Sequence, residues 1–151
     1  MVASLIQELT NLRRLLARGG EQDPEIVERH TVLHEAVLLA QARPARSTTG
    51  QCCVVVRLRD GERVLETSPV SATDCHFTVP FEGSLSEGDE PILLIWVRPG
   101  PPTVAVRSKV MAVEEETLRL GTTGIPRAER LAILEAIAVD VSRAGECASG
   151  C

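Results

Sequence analysis

The sequence predicts an α+β fold: a helical hairpin, then a six-stranded antiparallel β-barrel closed by a C-terminal helix. Three observations predict it. Apolar residues recur at helical spacing over the first forty positions. Short β-branched runs separated by turn residues fill positions 51–120. Helical spacing then returns over 125–141. Alternating short strands and turns suit a small antiparallel barrel, and a single trailing helix is positioned to cap it.

The elements follow in order. Leu5, Leu9, Leu12 and Leu16 recur every three or four positions, with Ile6 and Leu15 widening the stripe, which is the period of a helix. Gly19-Gly20 stops that helix, because glycine readily takes the left-handed conformation of a helix C-terminus. Asp23-Pro24 reads as an N-cap followed by proline at the first helical position. A second apolar row comprises Ile26, Val27, His30, Leu33, His34, Val37 and Leu38. The pair predicts an antiparallel hairpin, or two segments of a larger oligomerising bundle. Leu5, Leu9, Leu12, Leu16, Leu33 and Val37 are the candidate self-association residues, and a homo-oligomer built through these helices is expected. Residues 1–41 thus form a helical arm, 42–50 a Pro/Ser/Thr/Gly linker, 51–141 the barrel with its closing helix, and 142–151 a flexible tail.

Within the barrel, residues 52–59 and 62–67 flank Asp60-Gly61, a hairpin signal because both residues tolerate positive φ. Residues 75–79 form a third strand. Residues 91–97 (Pro-Ile-Leu-Leu-Ile-Trp-Val) form a fourth, more fully buried one. Over 103–113, Val104, Val106, Ser108, Val110 and Ala112 alternate with Ala105, Arg107, Lys109 and Met111. Residues 118–120 form the sixth strand, after the acidic turn Glu114-Glu115-Glu116. Leu131, Leu134, Ile137 and Val141 set the inward row of the closing helix.

Composition bounds the function. Apolar residues are 44 % and charged residues 25 % of the chain, the balance of a soluble globular protein. Aromatic residues are only 2 %, so the core must be aliphatic. A net charge of −5 gives no general attraction to a polyanion, which argues against nucleic acid as a partner. No stretch approaches the roughly 18–20 apolar residues of a membrane span. The N-terminus lacks a secretory pattern, so the cytoplasm is the expected compartment. Five cysteines without paired spacing are expected there as thiols.

Candidate chemistry is sparse. His30 and His34 share a helical face at the spacing of two metal ligands, but no third ligand is placed, and packing within the apolar row is the simpler reading. Cys147 and Cys151 lie in a Gly/Ser/Ala tail. Cys52 and Cys53 are adjacent, so one should face the core and the other outward. Glu114-Glu115-Glu116 reads as a solvated turn that could meet a basic partner. Gly121-Thr122-Thr123-Gly124 lacks the lysine of a phosphate loop. With no nucleophile–base pair, no metal cluster and no cofactor motif, the chain does not read as an enzyme.

Four passages together resemble the PilZ domain, a bacterial receptor module for cyclic di-GMP. They are Val54-Val55-Val56-Arg57-Leu58-Arg59-Asp60-Gly61, Leu85-Ser86-Glu87-Gly88-Asp89-Glu90-Pro91-Ile92-Leu93-Leu94, Arg107-Ser108-Lys109-Val110-Met111-Ala112-Val113-Glu114, and residues 124–137. The resemblance covers about the last two-thirds of the chain and implies a six-stranded barrel. The family's ligand site pairs an Arg-x-x-x-Arg element with an Asp/Asn-x-Ser-x-x-Gly turn. Guanidinium forks suit phosphodiesters and guanine edges. Here the linker offers Arg43-Pro44-Ala45-Arg46, one residue too tight. Aligned on Ser71, Pro69 replaces the acidic or amide residue, and Asp74 replaces the glycine with a side chain and a negative charge. The literal Arg-x-x-x-Arg strings at Arg14 to Arg18 and Arg59 to Arg63 lie away from the first strand and read as solvated charges.

The resemblance therefore implies a non-catalytic adaptor that contacts a signalling or motility protein and needs no cofactor. The alternative is a cyclic di-GMP sensor using Arg43, Arg46 and Ser71, with Asp74 as the obstacle. A third reading is an unrelated small β fold.

Overall fold

The computed structural model describes residues 2–19, 23–47, 52–73, 75–100, 102 and 104–150. The fold is α+β. Two helices, α1 (Val2–Ala17) and α2 (Pro24–Gln41), precede the strands β1 (Arg46–Ser47), β2 (Val54–Asp60), β3 (Arg63–Thr67), β4 (Ser71–Ala72), β5 (His76–Pro80), β6 (Ile92–Val97), β7 (Val104–Val113) and β8 (Thr117–Thr122). Helix α3 (Arg127–Gly150) follows. No helix among the described residues is long and apolar enough to cross a membrane.

The sheet has eight strands where six are expected. The two additions, β1 and β4, are two residues long, too short for periodicity to reveal. Strand order is β1-β3-β2-β6-β7-β8-β5-β4. Every neighbouring pair is antiparallel except β1 and β3, where Arg46 and Ser47 run parallel to Leu65 and Glu66. Part of the expected linker is thus strand. No ladder among the described residues joins β1 to β4, so the sheet is a curled half-barrel rather than a closed barrel. Its curl is tied across by a side chain. The Thr67 hydroxyl, at the end of β3, donates to the Pro80 carbonyl at the end of β5 (2.9 Å).

Both faces of the sheet are covered, and this explains why residues 91–97 are apolar throughout. Leu93 and Ile95 point into the curl with Val56, Leu58, Phe77 and Leu120. Leu94 points the other way, into a second cluster with Ala105, Val64, Leu33 and Leu39, against which Ile92 and Trp96 pack. Strand side chains alternate between faces, so a strand buried on both sides loses its polar half. On the concave side α3 contributes Ile133 and Ile137.

The N-terminal helices are therefore a layer of the core, sharing a buried cluster with the outer face of the sheet. Leu5, Leu9 and Leu33 are buried within the chain, and Leu12, Leu16 and Val37 are half-buried. The stripe that demanded burial finds it against α2 and the sheet. The buried row of α2 is Val32, Leu33, Ala36 and Leu39, which leaves Val27, His34 and Leu38 exposed. Apolar residues lie on several faces of α2, and docking on the sheet selects one of them. His30 and His34 stack at 6.2 Å between ring centroids.

Local signals fared unevenly. Asp23 is the N-cap of α2, its carboxylate accepting from the Glu25 amide at 2.9 Å. The β2–β3 turn is displaced by one residue: Asp60 pairs with Arg63, and the two-residue loop is Gly61-Glu62, with Gly61 at φ 63°. Cys52 and Cys53 precede β2 and are both half-buried, so neither is a core residue. In α3 the inward row is Ile133, Ile137 and Asp140, while Leu131 and Val141 are exposed. The helix also continues through the expected tail, to Gly150. Residues 141–150 contain no proline, and Arg143, Ala144, Glu146 and Ala148 favour helix. Cys147 lies within α3, and Cys151 lies outside the described residues.

Candidate functional site

Of the residues expected to bear on a nucleotide, Arg43, Arg46 and Ser71 lie among the described residues. Arg43 is exposed between α2 and β1, and Arg46 begins β1. Ser71 is exposed on β4, four residues after the end of β3, the strand that β1 pairs with. Asp74 lies outside the described residues. Of the arginines around the β2–β3 turn, Arg59 is held by Glu35 at 2.8 Å and Arg63 reaches Asp60 at 3.3 Å. Among the described residues no group of three or more His, Cys, Asp or Glu side chains is placed to hold a metal ion.

A cleft of about 410 Å³ opens instead at the seam where the sheet fails to close. Leu58 and Leu65 floor it from β2 and β3, and Pro80 and Phe81 form the wall at the end of β5. Its carboxylates are Glu66, Glu82, Glu115 and Glu116, and no Lys or Arg is among its described lining residues. Glu66 is engaged by Arg57 at 3.1 Å.

The walls are fixed. Glu115 and Glu116 form the tip of the β7–β8 hairpin, which the Glu114 amide closes by donating to the Thr117 carbonyl (2.9 Å). The Phe81 amide donates to the Glu116 carbonyl (2.9 Å), clamping that tip to the end of β5. Residues 81–84 are held in turn by Asp60, whose buried carboxylate accepts from the Ser84 amide (2.9 Å) and hydroxyl (2.7 Å). Gly83 leaves room for this contact: a Cβ there would lie 2.1 Å from Asp60 Oδ2 and 2.7 Å from Phe81 Cζ.

Burial alone would raise the Asp60 pKa, but the Ser84 hydrogen bonds and then Arg63 outweigh it and hold the carboxyl below its ordinary range. A carboxylate depressed in the folded state stabilises the protein above its unfolded pKa, about 4, and that contribution is lost as pH falls through the folded value. Thermal melts across pH are therefore expected to show Asp60→Asn less stable than the parent at neutral pH, with the gap narrowing below about pH 4. A gap independent of pH would contradict this account.

A second hollow, of about 430 Å³, lies between α2, the start of β7 and the loop after β8. Both of its arginines are already engaged: Arg107 meets Glu28 at 2.6 Å, and Arg29 meets Glu8 at 3.1 Å and the Ala105 carbonyl at 2.7 Å. The seam cleft is the better candidate.

Compared with known protein families and with curated proteins, the chain matches no family model and no curated sequence.

The glutamate turn is visible in the sequence, but its place beside Leu58, Leu65 and Phe81 is not. Those residues come from separate strands that only the curl brings together.

Proposed function

We infer that this chain is a non-catalytic docking protein with a PilZ-like half-barrel, contacting another protein in a bacterial signalling or motility pathway. It does not take cyclic di-GMP in that family's manner. The observation that carries this reading is the lining of the seam cleft: its described residues include Glu115 and Glu116, exposed at a hairpin tip, and no Lys or Arg. A ligand with two phosphodiesters needs guanidinium or ammonium partners and is repelled by clustered carboxylates. Exposed Ser71 on a two-residue strand supplies one hydroxyl, too little to hold a dinucleotide. Self-association is no part of the reading, because Leu5, Leu9 and Leu33 are buried within the chain.

Titration calorimetry of the full chain with cyclic di-GMP is expected to give no binding heat at micromolar nucleotide. Thermal melting is a second readout: a ligand at about 100 times its Kd adds about 2.7 kcal/mol of stability, so an unchanged Tm is expected. Micromolar binding lost in both Arg43→Ala and Arg46→Ala would overturn the reading in favour of a nucleotide sensor.

A further inference from the structure

The outward side of α2 carries a contact that the docking role leaves unused. His30 and His34 lie about one helical turn apart, and their rings stack at 6.2 Å between centroids with 26° between the planes. The row of α2 that faces the sheet is Val32, Leu33, Ala36 and Leu39, so the two imidazoles stand away from the core. His34 is exposed and His30 half-buried, which removes core packing as an explanation for His34. Among the described residues neither ring makes a hydrogen bond or an ion pair, which leaves the ring nitrogens for a ligand.

The helix beneath them is held on both sides of the pair. Arg29 donates to the Ala105 carbonyl at 2.7 Å, and Glu35 meets Arg59 at 2.8 Å. The backbone positions of the two histidines are thereby fixed before anything binds, which lowers the ordering cost of a chelate. Metal–imidazole distances of about 2.0–2.1 Å put two ring centres about 5 Å apart on a tetrahedral ion. The observed 6.2 Å is about an ångström wider, and histidine χ2 is a broad torsion that closes such a gap at little cost.

We propose that His30 and His34 form a two-imidazole chelate for a divalent late first-row transition ion, Cu2+ most tightly and Ni2+ or Zn2+ less so. The inference goes beyond the docking role and stands whether or not that role holds. Imidazole suits these ions, whereas Mg2+ and Ca2+ demand oxygen ligands. No third His, Cys, Asp or Glu is grouped with the pair among the described residues, so water fills the remaining positions. Two protein ligands make this an exchangeable site, unlike the closed four-ligand sites of structural zinc. Because the ion spans positions i and i+4, it binds the folded chain in preference to the unfolded one and stabilises it.

The test is a titration of the isotope-labelled full chain with Ni2+, a paramagnetic ion that thiols do not reduce, read by NMR. Amide signals over 28–36 are expected to broaden first and to saturate at one ion per chain, with a Kd on the order of 100 µM. Replacing either histidine leaves a lone imidazole. H34A, at the exposed position, is therefore expected to keep a folded spectrum and to weaken this binding about tenfold or more. H34Q repeats the test with a polar side chain. His76, the third histidine of the chain, lies in β5 with its ring on the Thr73 hydroxyl, and H76A is expected to leave the affinity at α2 unchanged. Affinity at α2 that survives both H34A and H34Q, or that falls in H76A, would overturn the proposal. So would broadening centred on the exposed Cys75 with α2 spared, two chains per ion, or no effect at about millimolar Ni2+.

Discussion

Replacing Arg57 by alanine is expected to lower the unfolding free energy by about 3 kcal/mol and the Tm by on the order of 10 °C. The side chain rises from the middle of β2 and is only 16 % exposed. Its Nη1 donates to the carbonyls of Leu39 (2.8 Å), Ala40 (3.2 Å) and Ala42 (3.0 Å) at the end of α2. Its Nε donates to Glu66 at 3.1 Å, and its guanidinium carbon lies 5.5 Å from the centre of the Trp96 ring. The last carbonyls of a helix have no partner inside it and carry the negative end of the macrodipole. Helix α2 has no basic residue in its own last turn, so β2 supplies the cation. Truncation strands those carbonyls and leaves Glu66, itself half-buried, without this partner. Lysine keeps the charge but not the planar fork, so Arg57→Lys should recover only part of the loss. Chemical denaturation measures both variants. A change in Arg57→Ala within about 0.5 kcal/mol, as for an ordinary surface residue, would refute the assignment.

How much of this was legible in the sequence depends on how far each decision reaches along the chain. Asp23-Pro24 announces the start of α2 because capping is settled within three residues. The longer strands announce themselves by composition. The Asp60-Gly61 signal located its hairpin but misplaced the loop by one residue, because Asp60 is drawn into β2 by a partner, Ser84, that lies 24 positions away. The same distance problem hid Asp140. Nothing local explains a buried aspartate in a helix, yet its carboxylate accepts the amides of Cys53 (2.7 Å) and Val54 (3.1 Å), fastening α3 to the start of β2. The face of α2 that turns inward was ambiguous for a different reason: valines and leucines surround the helix, and only contact with Leu94 and Ala105 decides between them. For the candidate site, the sequence marked Glu114-Glu115-Glu116 but not the apolar floor beside it, because Leu58, Leu65 and Phe81 look like ordinary core residues until the seam is seen to stay open.

Leu33→Ala is expected to destabilise the whole protein by about 3 kcal/mol. Leu33 is 0 % exposed and belongs to the cluster that joins α1, α2 and the outer face of the sheet. Removing its branched end leaves a cavity, and the cost combines lost transfer energy with incomplete relaxation around the void. The measurement also distinguishes two pictures of the N-terminal helices. If they were a separate arm, the substitution would loosen the arm and leave the unfolding of the half-barrel unchanged, so two transitions would separate. As a core layer clamped by Arg57, by the Arg59–Glu35 pair and by Arg29 on the Ala105 carbonyl, the helices should unfold with the sheet in one cooperative step that shifts as a unit. Leu38→Ala provides the control: that residue lies on the same helix but is 43 % exposed, and its substitution should change stability by no more than about 0.5 kcal/mol. Equal effects at the two positions would mean that the sheet does not choose the inward face of α2. The layered core would then have to be redrawn.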